Sequence, residues 1–296
     1  MAEKIDAVIA LGEFSCAHIG HKAVISAAAK LADELCALPV AFAFGEGLSE
    51  ALGKPRVPAI FGEAEREELL LKAGAKKVVF APTTKEFLSL GKIEFLEYLD
   101  TLFTVKGYVF GEDYAFGRKG EGNADFLCDY AAHNGKIAIK VPLIKTEGEK
   151  VSSTEIRRLL SEGLVDKAAK LLGESYFIKG VVEKGREEGR KIGFPTANLY
   201  FDDLTVKEGV YYGRTKVFGK EYLSIINYGN CPTFSLEKKL VEVNILDFSR
   251  DIYGETIIVF FDGYLRDIKK FASVNELTER LEADAEITRS KADKTK

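Results

Sequence analysis

The stretch IDAVIALGEFSCAHIGH, residues 5–21, decides the fold of the first half of the chain. Ile5 to Leu11 is a β-rich apolar run, Gly12 to Ala17 break it with a turn, and His18-Ile19-Gly20-His21 opens an alanine-rich helical stretch that reaches about Ala37. A strand that enters a helix through a short glycine-containing loop is the start of a parallel crossover unit. The same pattern recurs on the C-terminal side. Val40–Phe44, Lys77–Phe80, Tyr108–Phe110 and Lys136–Val141 read as strands, separated by helical runs over Glu63–Ala73, Ile93–Leu99 and Asn123–Asn134. This alternation predicts an α/β domain built on a parallel sheet. Ligands of such sheets bind beyond the carboxyl ends of the strands, so the loops that follow strands should carry the chemistry.

The texture changes near Glu174. Ser152–Ser161 and Leu164–Leu171 read as two short helices joined at Gly163, the second ended by Gly173. Beyond them, Tyr176–Glu183, Gly209–Val217, Tyr222–Asn227, Leu240–Phe248 and Thr256–Phe261 are short β-branched or aromatic runs separated by turn residues. They predict a small antiparallel β-barrel. A C-terminal amphipathic helix is expected from about Ser273, which would cap it with Glu276 at the third position. The Lys-rich tail after Arg289 should fray. The expected division is residues 1–174 for the α/β domain and 175–296 for the barrel. Each part is long enough to bury a core of its own.

Composition removes several function classes. The chain carries 42 basic and 46 acidic residues, divided 22 to 26 up to residue 174 and 20 to 20 after it. Neither part has the basic excess that a nucleic acid or an anionic membrane requires, so any anion must be held by a local site. Cys16, Cys36, Cys128 and Cys231 are far apart with no CxxC pair, which argues against a disulfide framework or a structural zinc and fits a reducing compartment. Met1 to Leu11 lacks the basic and apolar regions of a signal peptide, and no apolar run approaches the ~20 residues that span a bilayer. The expected location is the cytoplasm, with no membrane or nucleic-acid partner. The sequence does not specify an oligomeric state.

Three segments of the first part stand where ligands are expected. His18-Ile19-Gly20-His21 falls at a helix N-terminus, whose unpaired N–H groups and partial positive charge favour phosphate. Gly20 permits close backbone approach, and histidines three apart share a helix face. Read alone, the pair is as readily two locally packed histidines. Gly111-Glu112-Asp113-Tyr114-Ala115-Phe116-Gly117 follows the Tyr108–Phe110 strand and would otherwise be a turn with a solvated Asp113. Ser152-Ser153-Thr154-Glu155-Ile156-Arg157-Arg158 follows the last strand. Ser152 with Glu155 has capping-box spacing, while three hydroxyls and one or two arginines at a helix start also make a cradle for a leaving pyrophosphate. The glycines from Gly180 to Gly185 have Walker A spacing, but Arg186-Glu187 stands where Lys-Ser/Thr is needed.

HxGH and SSTxxR at opposite ends of one α/β domain resemble the nucleotidyltransferase superfamily. With the Gly111–Gly117 loop between them, they look like the adenylyltransferase half of the bacterial bifunctional riboflavin kinase/FAD synthetases. The second part extends the resemblance over nearly the whole chain. Gly189-Arg190-Lys191-Ile192-Gly193-Phe194-Pro195-Thr196-Ala197-Asn198 is similar to that family's riboflavin kinase signature, whose Pro-Thr-Ala-Asn core holds magnesium and nucleotide phosphate. Asn227-Tyr228-Gly229 with Pro232-Thr233-Phe234 matches a further segment. So do Val241 to Phe248, Tyr253-Gly254, Leu265-Arg266-Asp267 and Lys270-Phe271.

The resemblance implies ATP with magnesium as cofactor and flavin as both substrate and product, with riboflavin, FMN and ATP as partners. It implies Glu242, His18, His21 and Arg157 as catalytic residues. Gly12, Phe14, Gly20, Asp113, Ser152, Ser153, Thr154, Gly193, Pro195, Thr196 and Asn198 are implied as nucleotide- or phosphate-binding, with Thr196 and Asn198 as magnesium ligands. Threonine and asparagine oxygens are the hard donors magnesium prefers. By strand alternation Glu242 and Asn244 face one side while Val241, Val243 and Ile245 face the other. Position alone would make Glu242 a solvated outward group; the resemblance makes it the base. Phosphorylating an alcohol requires a proton acceptor, whereas the FMN phosphate is already largely dianionic and needs only donors and positive charge around it.

Two departures touch the adenylyltransferase motifs. The family has Gly-x-Phe-Asp-Gly-x-His-x-Gly-His after strand one; here Ser15 replaces the Asp and Cys16 the Gly. A positive φ at Cys16 would cost roughly 1–2 kcal/mol. Phe42-Ala43-Phe44-Gly45-Glu46 stands where the family has Pro-His-Pro after strand two. These differences leave open a monofunctional riboflavin kinase whose first domain only binds nucleotide. A flavin sensor is the reading from another class, but a sensor has no need of Glu242. HxGH also occurs in tRNA-charging enzymes, which the charge balance disfavours.

Overall fold

The computed structural model describes residues 4–146, 148–185, 189, 193–230 and 239–293. The chain divides into two compact units, Met1–Ser153 and Thr154–Lys296.

The first unit is a five-stranded parallel sheet of β1 (Asp6–Leu11), β2 (Leu38–Phe44), β3 (Lys77–Ala81), β4 (Thr104–Gly111) and β5 (Ile137–Val141), ordered β3-β2-β1-β4-β5. Its main helices are α1 (Ile19–Glu34), α2 (Glu63–Lys72), α3 (Lys92–Leu102) and α4 (Ala124–His133). β1 is central and buried on both faces after Asp6, as expected for a strand covered by helices on both sides. One face of the sheet receives Val24, Ile25, Ala28, Leu31 and Ala32 of α1, an apolar stripe at helical spacing. The other face carries Ile9, Leu11, Phe42, Tyr108 and Phe110 against Leu96, Leu99 and Leu127 of α3 and α4. The strand order runs outward from β1 through β2 to β3, then returns to β4 on the other side of β1. The carboxyl ends of β1 and β4 therefore flank the point where the winding reverses, the usual crevice for a ligand in an open α/β sheet.

The second unit holds α5 (Ser153–Ser161) but for its first residue, then α6 (Val165–Leu172) and six antiparallel strands. These are β6 (Tyr176–Val181), β7 (Ala197–Phe201), β8 (Gly209–Val217), β9 (Lys220–Asn230), β10 (Lys239–Ile245) and β11 (Thr256–Arg266). Their order is β6-β11-β8-β9-β10-β7, and a bridge between Glu183 and Asn198 brings the two edges together into a nearly closed barrel. Sequence texture marks five of these strands. The sixth, β7, carries the Thr-Ala-Asn segment at its entrance; the sequence reads there as a tight turn at Gly193 and Pro195 entering a strand, without a range for it.

The division between units falls ahead of the change of texture near Glu174 because α6 packs on β6 and β11, and the Lys207 N–H donates to the Leu160 carbonyl at 2.9 Å. A last helix, α7 (Val274–Asp293), packs on β8 and β9. The Glu276 N–H donates to Ser273 Oγ at 3.2 Å, and the Glu276 carboxylate accepts from the Ala272 N–H at 2.9 Å, which closes the expected cap. The helix continues through Asp293, beyond the Arg289 at which fraying was expected.

Candidate active sites

In the first unit the expected residues meet at the carboxyl ends of β1 and β4. His18 is the N-cap of α1: its Nδ1 accepts from the His21 N–H at 3.1 Å. The two imidazoles stack with centroids 3.6 Å apart and 14° between planes. Phe14 meets His21 edge-on at 5.2 Å. A Cβ on Gly20 would come within 3.1 Å of the His18 ring, and one on Gly12 within 2.9 Å of the Phe14 ring, so both positions are tied to side chains of the same loop. The left-handed residues are Phe14, φ 47°, and Ala17, φ 49°, not Cys16, so the anticipated penalty at Cys16 does not arise. Strain of this kind persists only where surroundings fix the residue, and Phe14 and Ala17 are buried.

Burial lowers the His18 pKa from 6.5 to about 4, with Lys150 and Lys22 adding to the shift and Asp113 opposing it. His21 is pushed well below its ordinary value by burial and by His18, and its Nδ1 is buried with no partner. Near neutral pH both rings are uncharged donors. Asp113, in the turn after β4, forms an ion pair with Lys150, and the charges of both act on His18. Ser153 completes the group: its Oγ lies 2.7 Å from Ser15 Oγ and 3.3 Å from Cys16 Sγ. Ser152 immediately precedes it; Thr154 and Arg157 fall on the second unit's side of the division, in the first two turns of α5. Arg158 is held by Glu155 and Glu162 on its own helix.

In the second unit the kinase candidates share one patch of the barrel. Glu242 stands directly opposite Asn198 on β7 and Asn227 on β9, a row of three polar residues across three strands. Val241 and Val243 are fully buried on the other face, as alternation requires. Asn227 Nδ2 donates to Glu242 Oε2 at 3.0 Å. Asn244 Nδ2 donates to the Pro195 carbonyl at 2.8 Å, which pins the Pro-Thr-Ala-Asn segment onto β10. Gly193, φ 85°, makes the left-handed turn ahead of it. A Cβ on Gly185 would lie 1.7 Å from Asn198 Nδ2, so only glycine lets that loop pass over Asn198. Asn198 is buried, and its Oδ1 has no partner among the described residues.

Two cavities meet at Thr196. One, about 380 Å³, is lined by Val182, Pro195, Ala197, Ile245, Phe248 and Arg250 among others; the second, about 370 Å³, by Asn227, Glu242, Asn244, Phe271 and Leu277 among others. Thr196 lines both.

Comparison with known proteins bears on both units. A family model described as FAD synthetase matches residues 1–155, and one described as riboflavin kinase matches residues 172–292. A bifunctional riboflavin kinase/FMN adenylyltransferase of Listeria monocytogenes is 35% identical over 291 residues, covering 97% of this chain and 92% of its own length. The chain belongs to this family. The Bacillus subtilis member is 32% identical, with 95% of this chain and 91% of its own covered. A solved structure from Streptococcus pneumoniae, titled macrolide-efflux protein, superimposes with a TM-score of 0.88 at 35% identity, covering 98% of this chain and 95% of its own. Among the described residues here, no helix is long and apolar enough to cross a membrane.

The departures from the family pattern acquire a physical account. Ser15 and Cys16 are the two side chains that meet Ser153, so they join the first motif to the second. Where the family has Pro-His-Pro, the Glu46 N–H donates to Glu63 Oε1 at 2.6 Å and the Glu63 N–H to Glu46 Oε1 at 3.3 Å. Arg66 donates from Nη1 to the Phe44 carbonyl at 2.8 Å and lies 4.9 Å over the Phe80 ring. It is a buried cation at the carboxyl end of β2 that the sequence does not announce, apart from sharing a helix face with Leu69 and Leu70. Asn227 stands out in the sequence only as part of the Asn227-Tyr228-Gly229 segment; its place beside Glu242 is set by register alone. Arg190, Lys191, Ile192, Cys231 and Pro232–Phe234 lie outside the described residues.

Proposed function

We propose that this chain phosphorylates riboflavin to FMN in the barrel and adenylylates FMN to FAD at the histidine site of the first unit, with ATP as donor in both reactions. The observation that carries the reading is the Asn198–Glu242–Asn227 row beside a threonine that lines two cavities. ATP occupies the first cavity and riboflavin the second, so the terminal phosphate and the ribityl hydroxymethyl group meet near Thr196. Glu242 accepts the hydroxyl proton as that oxygen forms its bond to the γ-phosphorus and ADP departs. Magnesium fits the neutral oxygens offered here: Asn198 Oδ1 is buried and unpartnered among the described residues, and Thr196 offers a hydroxyl. When bound it would neutralise phosphate charge.

For adenylyl transfer, a phosphate oxygen of FMN attacks the α-phosphorus of ATP and pyrophosphate leaves. His18, His21, Gly20 and the N-terminus of α1 donate to the phosphates, while Ser152, Ser153, Thr154 and Arg157 hold the leaving group. Gly12, Phe14 and Asp113 shape the nucleotide side of the site. Four widely spaced cysteines with no CxxC pair support a cytoplasmic location.

The test is incubation with riboflavin, ATP and magnesium, with flavins separated chromatographically. Wild type should yield FMN, then FAD. Glu242→Gln should slow FMN formation by ~10²–10⁴-fold while still converting added FMN to FAD. His21→Ala should stop at FMN. A wild-type preparation that makes no FMN would overturn the reading.

A further inference from the structure

Asn227 faces Glu242 from the opposite side to Asn198, and its amide is used at only one end. Nδ2 donates to Glu242 Oε2 at 3.0 Å, while Oδ1 is buried with no partner among the described residues. The two ends cannot be exchanged, because a carboxylate only accepts and the amide must turn its N–H₂ towards it. The unpartnered carbonyl is therefore fixed by the position of Glu242. It belongs to a residue that lines the second cavity, where Asn244 Nδ2 is held by the Pro195 carbonyl and the Arg266 guanidinium by Asp284 and the Asp267 carbonyl. A buried acceptor in that setting is unfavourable until a ligand supplies a hydroxyl or N–H.

We infer that Asn227 links base to substrate: its N–H₂ orients the Glu242 carboxylate, and its carbonyl accepts a hydrogen bond from a secondary hydroxyl of the ribityl chain, one or two carbons from the hydroxymethyl that Glu242 deprotonates. The inference rests on the reading of Glu242 as base. It makes Asn227 a specificity residue for a polyol chain attached to an apolar ring. Apolar surface from Phe271, Val274, Leu277 and Leu281 faces the ring, and Asn227, Glu242 and Asn244 face the chain. A spacing error of one carbon would leave Oδ1 unsatisfied and carry the reactive hydroxyl away from Glu242.

The full-length protein tests this through riboflavin phosphorylation, with Asn227→Asp, Asn227→Leu and Glu242→Gln. Asn227→Asp sets a second carboxylate beside Glu242, so the acid limb of kcat/KM should move up by about one pH unit or more. Asn227→Leu should raise the KM for riboflavin about tenfold and leave the KM for ATP within about twofold. With 2′-, 3′- and 4′-deoxyribityl analogues, wild type should lose about tenfold in kcat/KM for one of them, and Asn227→Leu should lose nothing further with that analogue. An unmoved acid limb, equal changes in both KM values, or a full additional loss with the analogue overturns the inference. Glu242→Gln separates the two ideas. Wild-type turnover in that variant removes the base and this inference with it, whereas an inactive Glu242→Gln beside an unshifted Asn227→Asp removes only the role of Asn227. The ATP KM reports an intact barrel in each preparation.

Discussion

Burial holds the imidazole of His18 neutral until the pH nears about 4, and His21 is displaced in the same direction. An unfolded histidine titrates near 6.5, so between these values the unfolded chain binds protons that the folded chain refuses. The stability this gives is fully present above pH 6.5 and is lost as the pH falls towards 4. For His18 the contribution is on the order of 3 kcal/mol. His18→Asn retains an N-cap acceptor but does not titrate. Denaturation midpoints measured at pH 7.5 and pH 5 should fall less in His18→Asn than in wild type; an equal fall in both proteins would refute the assignment. The sequence made the histidines legible as a phosphate motif, because His-x-Gly-His opens a helix after a strand. It could not disclose their neutrality, which comes from the burial of both rings in the folded loop. Nor could it disclose that Ser15 and Cys16, which read as damage to the motif, both meet Ser153 some 138 residues away.

Elements bounded by turn residues and carrying one clear period were legible: all five strands of the parallel sheet and the four main helices lie within a few residues of expectation, whereas the one-turn helices Leu48–Ala51 and Lys85–Leu88 were not legible. The range of β7 escaped because the turn residues Gly193 and Pro195 lead straight into its five residues and leave no clear period to read. Register escaped as well, and register is what sets Asn198, Glu242 and Asn227 in one row. The placement of α7 depends on another feature hidden from sequence. Asp284 is fully buried and pairs with Arg266 Nη2 at 2.8 Å and with Arg280 Nη2 at 2.9 Å. Breaking a buried pair by deleting one partner leaves charge uncompensated, at a cost of about 3 kcal/mol. Asp284→Ala should therefore lower the unfolding midpoint of the barrel. Because Val274, Leu277 and Leu281 of α7 line the second cavity, it should also raise the KM for riboflavin, while FMN adenylylation continues. A variant with unchanged melting and unchanged riboflavin KM would show that α7 is held by other contacts.

On the scale of the whole chain, the two chemistries call for different residues and occur in different units. The kinase row and both cavities lie within Thr154–Lys296, and every adenylyltransferase candidate except Thr154 and Arg157 lies within Met1–Ser153. A chain ended at Ser153 would lack those two, so separation is better tested by substitution than by truncation. The net charge of −4 provides no long-range attraction for ATP or FMN, and local donors must hold each of them. FMN made at the barrel must then be released or handed on before the first unit can use it. If each site is complete within its own chain and FMN is released to solvent, a mixture of Glu242→Gln and His21→Ala should convert riboflavin to FAD far faster than either variant alone. FAD should appear after a lag that shortens as the concentration of either variant rises, because the second step draws on accumulated FMN. Should the mixture accumulate FMN without FAD, while Glu242→Gln alone still adenylylates added FMN, transfer between sites would have to occur within one molecule or one assembly, and the assumption of two independent sites would fail.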